Sequence, residues 1–223
     1  MKYVIGVDEA GRGALAGPVS VGAVRMKSDI NTWEYFNHTG KVVPSTMPSG
    51  GLRDSKKLTE RAREKWFSWM QNNEEIIWGV SFSSSHTIDK RGIVAAANAA
   101  ATRAALKVAG EYLRQCAIVC DAGLHIHDGL RKSIRHDGPR THDGLTKSIM
   151  RQEQIVRGDE TVPAIALASI VAKVLRDRHM RRLSHQYPPY QFSKHKGYGT
   201  LLHREALEKH GLSPEHRSTF TCL

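Results

Sequence analysis

The sequence predicts an α/β protein, a mixed central sheet flanked by helices, followed by a small helical C-terminal part. Three observations carry this. Short segments rich in β-branched residues recur at residues 2–7, 18–24 and 76–82. An alanine-rich segment of helical pattern, 92–115, runs directly into a further buried strand at 117–120, and strand, helix, strand in that order is a crossover connection. Apolar residues at helical spacing then dominate 164–183. At 223 residues the chain accommodates one large domain with a small appendage, divided here as 1–185 and 186–223.

KYVIGV (2–7) reads as a buried strand that gives way to Asp8, Glu9 and the glycines behind them. PVSVGAV (18–24) reads as a second strand antiparallel to it, and IIWGVSF (76–82) as a third. Between these, Thr59 is a helix N-cap, and Ala62, Trp66, Trp69 and Met70 keep helical spacing. In 92–115, Ile93, Ala97, Ala101, Ala104 and Val108 form one stripe of mostly small side chains that another element can approach closely. AIVC (117–120) ends on an acid, Asp121. Residues 124–156 differ in kind, being rich in His and Asp and poor in apolar residues. HDGLRKSI at 127–134 nearly repeats as HDGLTKSI at 142–149, and two copies make a local inserted excursion, not a repeat fold. Asp159 stands near the start of a helix with Ile165, Ala168, Val171 and Leu175 on one face and Arg176, Arg178, Arg181 and Arg182 near its end, the charge order a helix dipole favours. A Pro-Pro turn, a glycine segment at 197–200 and a helix around 201–210 complete the chain.

With 33 Lys and Arg against 22 Asp and Glu, the net charge of +11 attracts polyanions, nucleic acid first among them. No apolar stretch reaches the ~20 residues of a membrane-spanning helix, and the N-terminal apolar run is too short for a secretory signal, so a cytoplasmic setting is expected. Cys116, Cys120 and Cys222, odd in number and at no zinc spacing, read as reduced thiols.

Asp8, Glu9 and Asp121 lie at strand ends and Asp159 enters a helix, so the four can meet at one edge of a sheet. Each alone reads as a cap or a solvated turn. Together they would repel one another unless cations neutralised them. Oxygen ligands of this kind suit Mg²⁺ or Mn²⁺, and two such ions can align the water and the leaving oxygen of a phosphodiester. Gly11, Gly13 and Gly17, with Arg12 between the first two, suggest backbone that comes close to a phosphate or a sugar. Lys173 and Arg176 either contact backbone phosphates or lie in solvent.

DEAGRGALAGPV (8–19) resembles the signature of type 2 ribonuclease H, the ribonuclease HII family. The resemblance continues in family order through RDSKKLTE (53–60), IDKRGI (88–93), CDAG (120–123), GDETVPAIALASIVAKVLRD (158–177), HKGYGTLLH (195–203) and GLSPEHRSTF (211–220). It implies an RNase H-like fold, with a catalytic domain at 1–185 and a helical substrate-binding part at 186–223. It implies a two-metal endonuclease that cuts the RNA strand of RNA–DNA hybrids and also cuts 5′ of ribonucleotides embedded in duplex DNA, leaving 3′-hydroxyl and 5′-phosphate ends. Matched by position, the metal ligands are Asp8, shared between the ions, Glu9, Asp121 and the more peripheral Asp159. Gly11, Arg12 and Gly13 match the loop that reads the 2′-hydroxyl, and Tyr198 the ring that stacks near the RNA–DNA junction. Asp54, Ser55 and Lys56 match an element near the scissile phosphate, and Lys173 is grouped with the substrate-binding residues. His203 and His216 match positions expected to be structural.

Two features depart from the family: Ala122 and Gly123 follow Asp121, and 124–156 is longer than usual. Asp128, Asp137 and Asp143 there compete formally with Asp121 as metal ligands, and His125, His127, His136 and His142 could bind a softer metal, although a solvent-exposed excursion is the expectation. A ribonuclease HIII identity ranks lower because GRG is intact and the first strand starts at residue 2; a non-catalytic nucleic-acid binder would not require all four acids. The resemblance to single-chain enzymes implies a monomer, and no sliding-clamp-binding tail is expected, since only three residues follow Phe220.

Overall fold

In a computed structural model of the chain, the described residues are 1–37, 47–49, 51–127 and 151–221. All but the first residue of the near-repeat, together with Asp128, Asp137, Asp143, His136, His142 and Cys222, lies outside them. The strands are β1 (Tyr3–Ala10), β2 (Val19–Lys27), β3 (Ile77–Ser83), β4 (Cys116–Asp121) and β5 (Arg151–Ile155), in one sheet of order β3-β2-β1-β4-β5. The helices are α1 (Trp33–Phe36), α2 (Glu60–Gln71), α3 (Ser85–Arg91), α4 (Ile93–Ala109), α5 (Gly158–Thr161), α6 (Pro163–Gln186), α7 (Phe192–His195) and α8 (Leu201–His210).

The expected mixed sheet is present. β1 pairs antiparallel with β2 and β2 with β3, whereas β1–β4 and β4–β5 are parallel. Alternation along the strands sends Ile5, Val7, Val21 and Ala23 to one face, where the alanine stripe of α4 covers them. Val4, Val24 and Met26 face the other side, against α6 and the aromatic residues of α2. α6 lies very close to the sheet because Gly6 and Gly22 have no side chain: a Cβ on Gly6 would overlap the Ala164 carbonyl, and one on Gly22 the Ala168 oxygen.

The structure corrects four boundaries. β1 does not stop before the acids. Asp8 pairs with Gly22 and Glu9 with Val21, so both are in the strand. The 92–115 helix ends at Ala109, where Gly110 at φ 53° turns the chain into a 3₁₀ segment, Gly110–Gln115. Asp159 lies not at the start of the long helix but on the one-turn α5, separated from α6 by Val162 and by Pro163, which opens α6 as its first residue. The 124–156 excursion is not wholly an insert, because residues 151–155 form β5. RQEQI carries a single apolar residue, so hydrophobic patterning gives no signal for a parallel edge strand held by its backbone ladder. Thr59 caps α2 through its hydroxyl, and α8 occupies the predicted span.

Candidate active site

The carboxyl ends of β1 and β4 are neighbours in the sheet, and this brings Asp8, Glu9 and Asp121 to one edge. Asp159 reaches the same place because the Gly158 amide, one residue earlier, donates to Asp121 Oδ1 at 2.9 Å. The loop of residues 53–57 closes the other side. The Lys56 amide donates to Asp54 Oδ1 at 2.8 Å, and Lys56 Nζ stands 3.5 Å from Asp159 Oδ2.

This is a group of acids short of positive charge. Asp8 is buried and its carboxyl is raised well above the usual range, first by burial and then by Glu9 and Asp121, while a bond from the Ser169 hydroxyl opposes the rise. Burial also raises Glu9, although Arg12 Nη1 is bonded to its Oε1 at 3.0 Å. Glu9 Oε2 is buried with no hydrogen-bond partner among the described residues. Asp159 is raised by burial against the pull of Lys56, with Asp54 and Asp121 adding to the rise. Burial pulls the Lys56 ammonium down, but Asp159, Asp8 and Asp54 outweigh it and raise the group. Cys120, beneath the acids, is pushed up to about 12 by burial and then by Glu9, Asp121 and Asp8, so it stays a neutral thiol.

The donor set is therefore hard carboxylate oxygen, with a buried lone oxygen and mutually repelling charges, which matches what Mg²⁺ or Mn²⁺ would satisfy. Among the described residues no three of His, Cys, Asp or Glu form a finished metal cage, so the acids are near one another without being closed around a point.

The glycine loop stands beside the acids. Gly11 and Gly17 have positive φ, 88° and 79°, and their backbone packs against Arg176 and Met180. Gly13 is different. Its φ is not positive, and a Cβ there would meet nothing within 4 Å, so neither backbone nor packing calls for glycine. Arg12 spans from Glu9 to the Gly123 carbonyl, tying the loop to the turn after β4.

Two buried arginines hold this loop from inside: Arg176, expected at phosphates or in solvent, and Arg217, which the sequence reading did not single out. Arg217 donates to the carbonyls of Gly11, Arg12 and Gly17 at 2.8–3.0 Å. Arg176 donates to those of Ala16, Pro18 and Lys196. Arg176 is therefore neither a phosphate contact nor solvated, because its side chain is fully buried and its guanidinium donates to three backbone oxygens. The signal available was an arginine in a mostly apolar helix stripe; Arg217 had only the HRSTF block. Tyr198 is half-buried, not freely exposed, with Arg176 Cζ 5.3 Å and Lys173 Nζ 5.7 Å from its ring. Lys173 pairs with Asp177 at 2.9 Å. His203 and His216 are buried and bonded to each other, Nε2 to Nε2 at 3.0 Å, as structural residues would be. Ser55, Asp54 and the acids are brought together, with Ser55 buried behind Asp8 and Lys56 exposed in front. A separate groove of about 740 Å³ at the carboxyl end of β3, lined in part by His86, Lys90, Arg91 and Arg103, contains none of the four acids.

The Ribonuclease HII family model matches residues 5–222, nearly the whole chain. The chain belongs to the ribonuclease HII family. It is thus a ribonuclease H, of the family that cleaves the RNA strand of RNA–DNA hybrids. Ribonuclease HII of Endomicrobium trichonymphae is 39% identical over 218 residues, covering 98% of this chain and 85% of that protein. Ribonuclease HII of Bacillus licheniformis is 35% identical over 221 residues, 98% of this chain and 69% of that protein. The fold resembles the RNase HII of the Archaeoglobus fulgidus PCNA complex, with TM-score 0.68 at 22% identity, covering 99% and 96% of the two chains. It also resembles Bst-RNase HIII solved with Mn²⁺, with TM-score 0.61 at 17% identity, covering 94% of this chain and 63% of that one.

Proposed function

We propose that this ribonuclease HII cuts on the 5′ side of a ribonucleotide, in hybrids and singly embedded in duplex DNA, leaving 3′-hydroxyl and 5′-phosphate ends. The observation that carries this is the site itself: charge-starved carboxylates at the end of β1 and β4, adjoining a loop with open space at Gly13 where a side chain would stand. Asp8, Glu9, Asp121 and Asp159 are the groups that would hold two divalent ions, Mg²⁺ or Mn²⁺. When bound, such ions supply charge to the phosphodiester and an activated water.

The chain's own residues do the recognition. Gly13 lets sugar and phosphate approach the loop backbone, and the loop's carbonyls are already turned inward onto Arg176 and Arg217, which leaves its outward face to the ribose. Tyr198, steadied by Lys173 and Arg176, lies flat against the sugar or base at the junction with DNA. Lys56 is drawn toward the acids and offers its ammonium to the scissile phosphate, with Asp54 holding that turn in shape. Residues 1–185 carry the chemistry and 186–223 the junction contacts, in a monomer working in the cytoplasm.

Arg12→Ala and Tyr198→Ala test the recognition step. Expected is a fall of about tenfold, the worth of one good contact, in the ratio of cleavage at a single embedded ribonucleotide to cleavage of a long hybrid. Thermal midpoints should stay close to the parent's. An unchanged ratio in both variants would remove these residues from substrate reading.

A further inference from the structure

The strand ends that carry the acids continue sideways into a second surface. β1 and β3 run in the same direction, each antiparallel to β2, and Ala10, Ser20 and Phe82 stand at one level of the sheet. With neighbouring strands about 4.8 Å apart, the end of β3 is about 10 Å from the end of β1, on the edge where Asp8, Glu9 and Asp121 stand. The groove of about 740 Å³ lies there, lined from β3, α3, α4 and α6. Its cations are held in place and left without partners. Arg103 of α4 is exposed, yet its Nε donates to Ser81 Oγ at 2.9 Å and its Nη2 to the Phe82 carbonyl and Ser83 Oγ at 3.0 and 3.2 Å. One edge of the planar guanidinium is thereby fixed to β3, and Nη1, on the other side, makes no hydrogen bond among the described residues. α3 is anchored as well, because the two oxygens of Asp89 accept from the amides and hydroxyls of Ser218 and Thr219 at 2.6–3.1 Å. The next two residues, Lys90 and Arg91, are exposed in the groove and form no salt bridge among the described residues. Glu215 is the one acid among the lining residues, and the exposed ring of Phe82 adds an apolar wall. Fixed positive charge beside an apolar wall suits the phosphate oxygens and sugars of a nucleic-acid strand.

We propose that this groove is a second nucleic-acid subsite, which holds the phosphodiester backbone of the substrate duplex beside the cut, with Lys90, Arg91 and Arg103 as its phosphate contacts. At about 3.4 Å per base pair, a duplex laid along the strand ends reaches it about three base pairs from the scissile bond. The proposal rests on the cleavage of RNA–DNA hybrids alone and is independent of how a single embedded ribonucleotide is read. Contacts to phosphate carry no sequence information; they set the register and orientation in which the scissile phosphate meets the acids.

Fluorescence anisotropy with a labelled RNA–DNA hybrid in chelator measures binding without cleavage, and repeating it from about 50 to 200 mM salt counts phosphate contacts. In the double variant Lys90→Ala with Arg91→Ala, the slope of log affinity against log salt is expected to be shallower by about 1.8, two contacts at about 0.9 each. The parent should then lose about tenfold more affinity than this variant over that range. Arg103→Gln should flatten the slope by about 0.9. Lys2→Ala with Arg114→Ala removes two exposed cations where β1 and β4 begin, at the opposite end of the sheet, and should keep the parent's slope within about 0.3. With metal present, KM for the hybrid should rise in the groove variants while kcat stays within about twofold, because the acids are untouched. A slope change in the Lys90 and Arg91 variant no larger than in the Lys2 and Arg114 variant overturns the proposal, since overall charge then accounts for both. A fall in kcat at unchanged hybrid affinity overturns it too, as does a parent affinity indifferent to salt. Should Arg103→Gln not fold, the α3 pair decides by itself, its side chains being exposed.

Discussion

Asp8 sits in the protein interior beside Glu9 and Asp121, an arrangement in which its ionised form costs stability in the absence of a cation. The sign follows from linkage. A carboxyl raised in the folded state favours folding below its unfolded value and opposes it as pH rises through the folded one. Asp8→Asn removes the charge and keeps the shape. In metal-free buffer at pH 7 its melting temperature should therefore rise by about 2–4 °C, the shift that about 1 kcal/mol produces at this length. Added Mn²⁺ should stabilise the parent chain and leave the variant unmoved. A variant less stable than its parent in metal-free buffer would contradict the charge-repulsion account of the site. Asp8, Glu9 and Asp121 were legible because each ends or follows an apolar segment, and Asp159 because it precedes one. Arg176 and Arg217 were not, since a buried arginine is recognisable only when the carbonyls it serves, residues 11–18, are seen folded around it.

At the scale of elements, the approach of α6 to the sheet and the histidine cluster below α8 make separate predictions. Gly22→Ala puts a methyl group into the Ala168 carbonyl, and neither backbone can yield without moving a whole element. A loss of about 3 kcal/mol, or roughly 6–12 °C in melting temperature, is expected; a change under about 1 °C would mean that helix and sheet are not in this contact. In the cluster, His203 Nδ1 donates to the Tyr198 carbonyl, and His216 Nδ1 accepts from the Ser213 amide, so His216 Nε2 donates to His203 Nε2. Every ring nitrogen is used by a neutral tautomer. Burial, with the neighbouring His195 and His216, holds His203 down to about 4 from 6.5. The unfolded chain thus takes up a proton between pH 6.5 and 4 that the folded chain refuses, and stability falls as pH drops through that window. The raised acids at the active site act in the opposite direction, so the measurement is a difference. Melting temperature from pH 7.5 to 4.5 should fall more steeply in the parent than in His203→Gln, and equal slopes would show that the ring is not the titrating group. Capping, alternation and the alanine stripe made most elements legible. β5 was not, because its residues are polar and its place is set by the β4 ladder.

For the whole molecule, the charge of +11 indicated only that polyanions would be attracted. Among the described residues, Arg12 and Lys56 pair with the acids at one sheet edge, and Lys90, Arg91 and Arg103 line the separate groove past β3. Family membership was legible from ordered blocks spread over nearly the whole chain. The internal support of the glycine loop by the arginines beneath it was not, because it joins residues up to 206 positions apart. The central claim is a metal-dependent nuclease that recognises one ribonucleotide in DNA. Its most direct test is a labelled DNA duplex containing a single ribonucleotide, incubated with the parent chain and Mg²⁺ or Mn²⁺, with chelator, and with Asp8→Asn. Expected is one nick immediately 5′ of the ribonucleotide with a 3′-hydroxyl and a 5′-phosphate, abolished by chelator and reduced at least about a hundredfold in the variant. An uncut duplex in the presence of metal, or nicking that persists in chelator or in Asp8→Asn at the parent's rate, would contradict it.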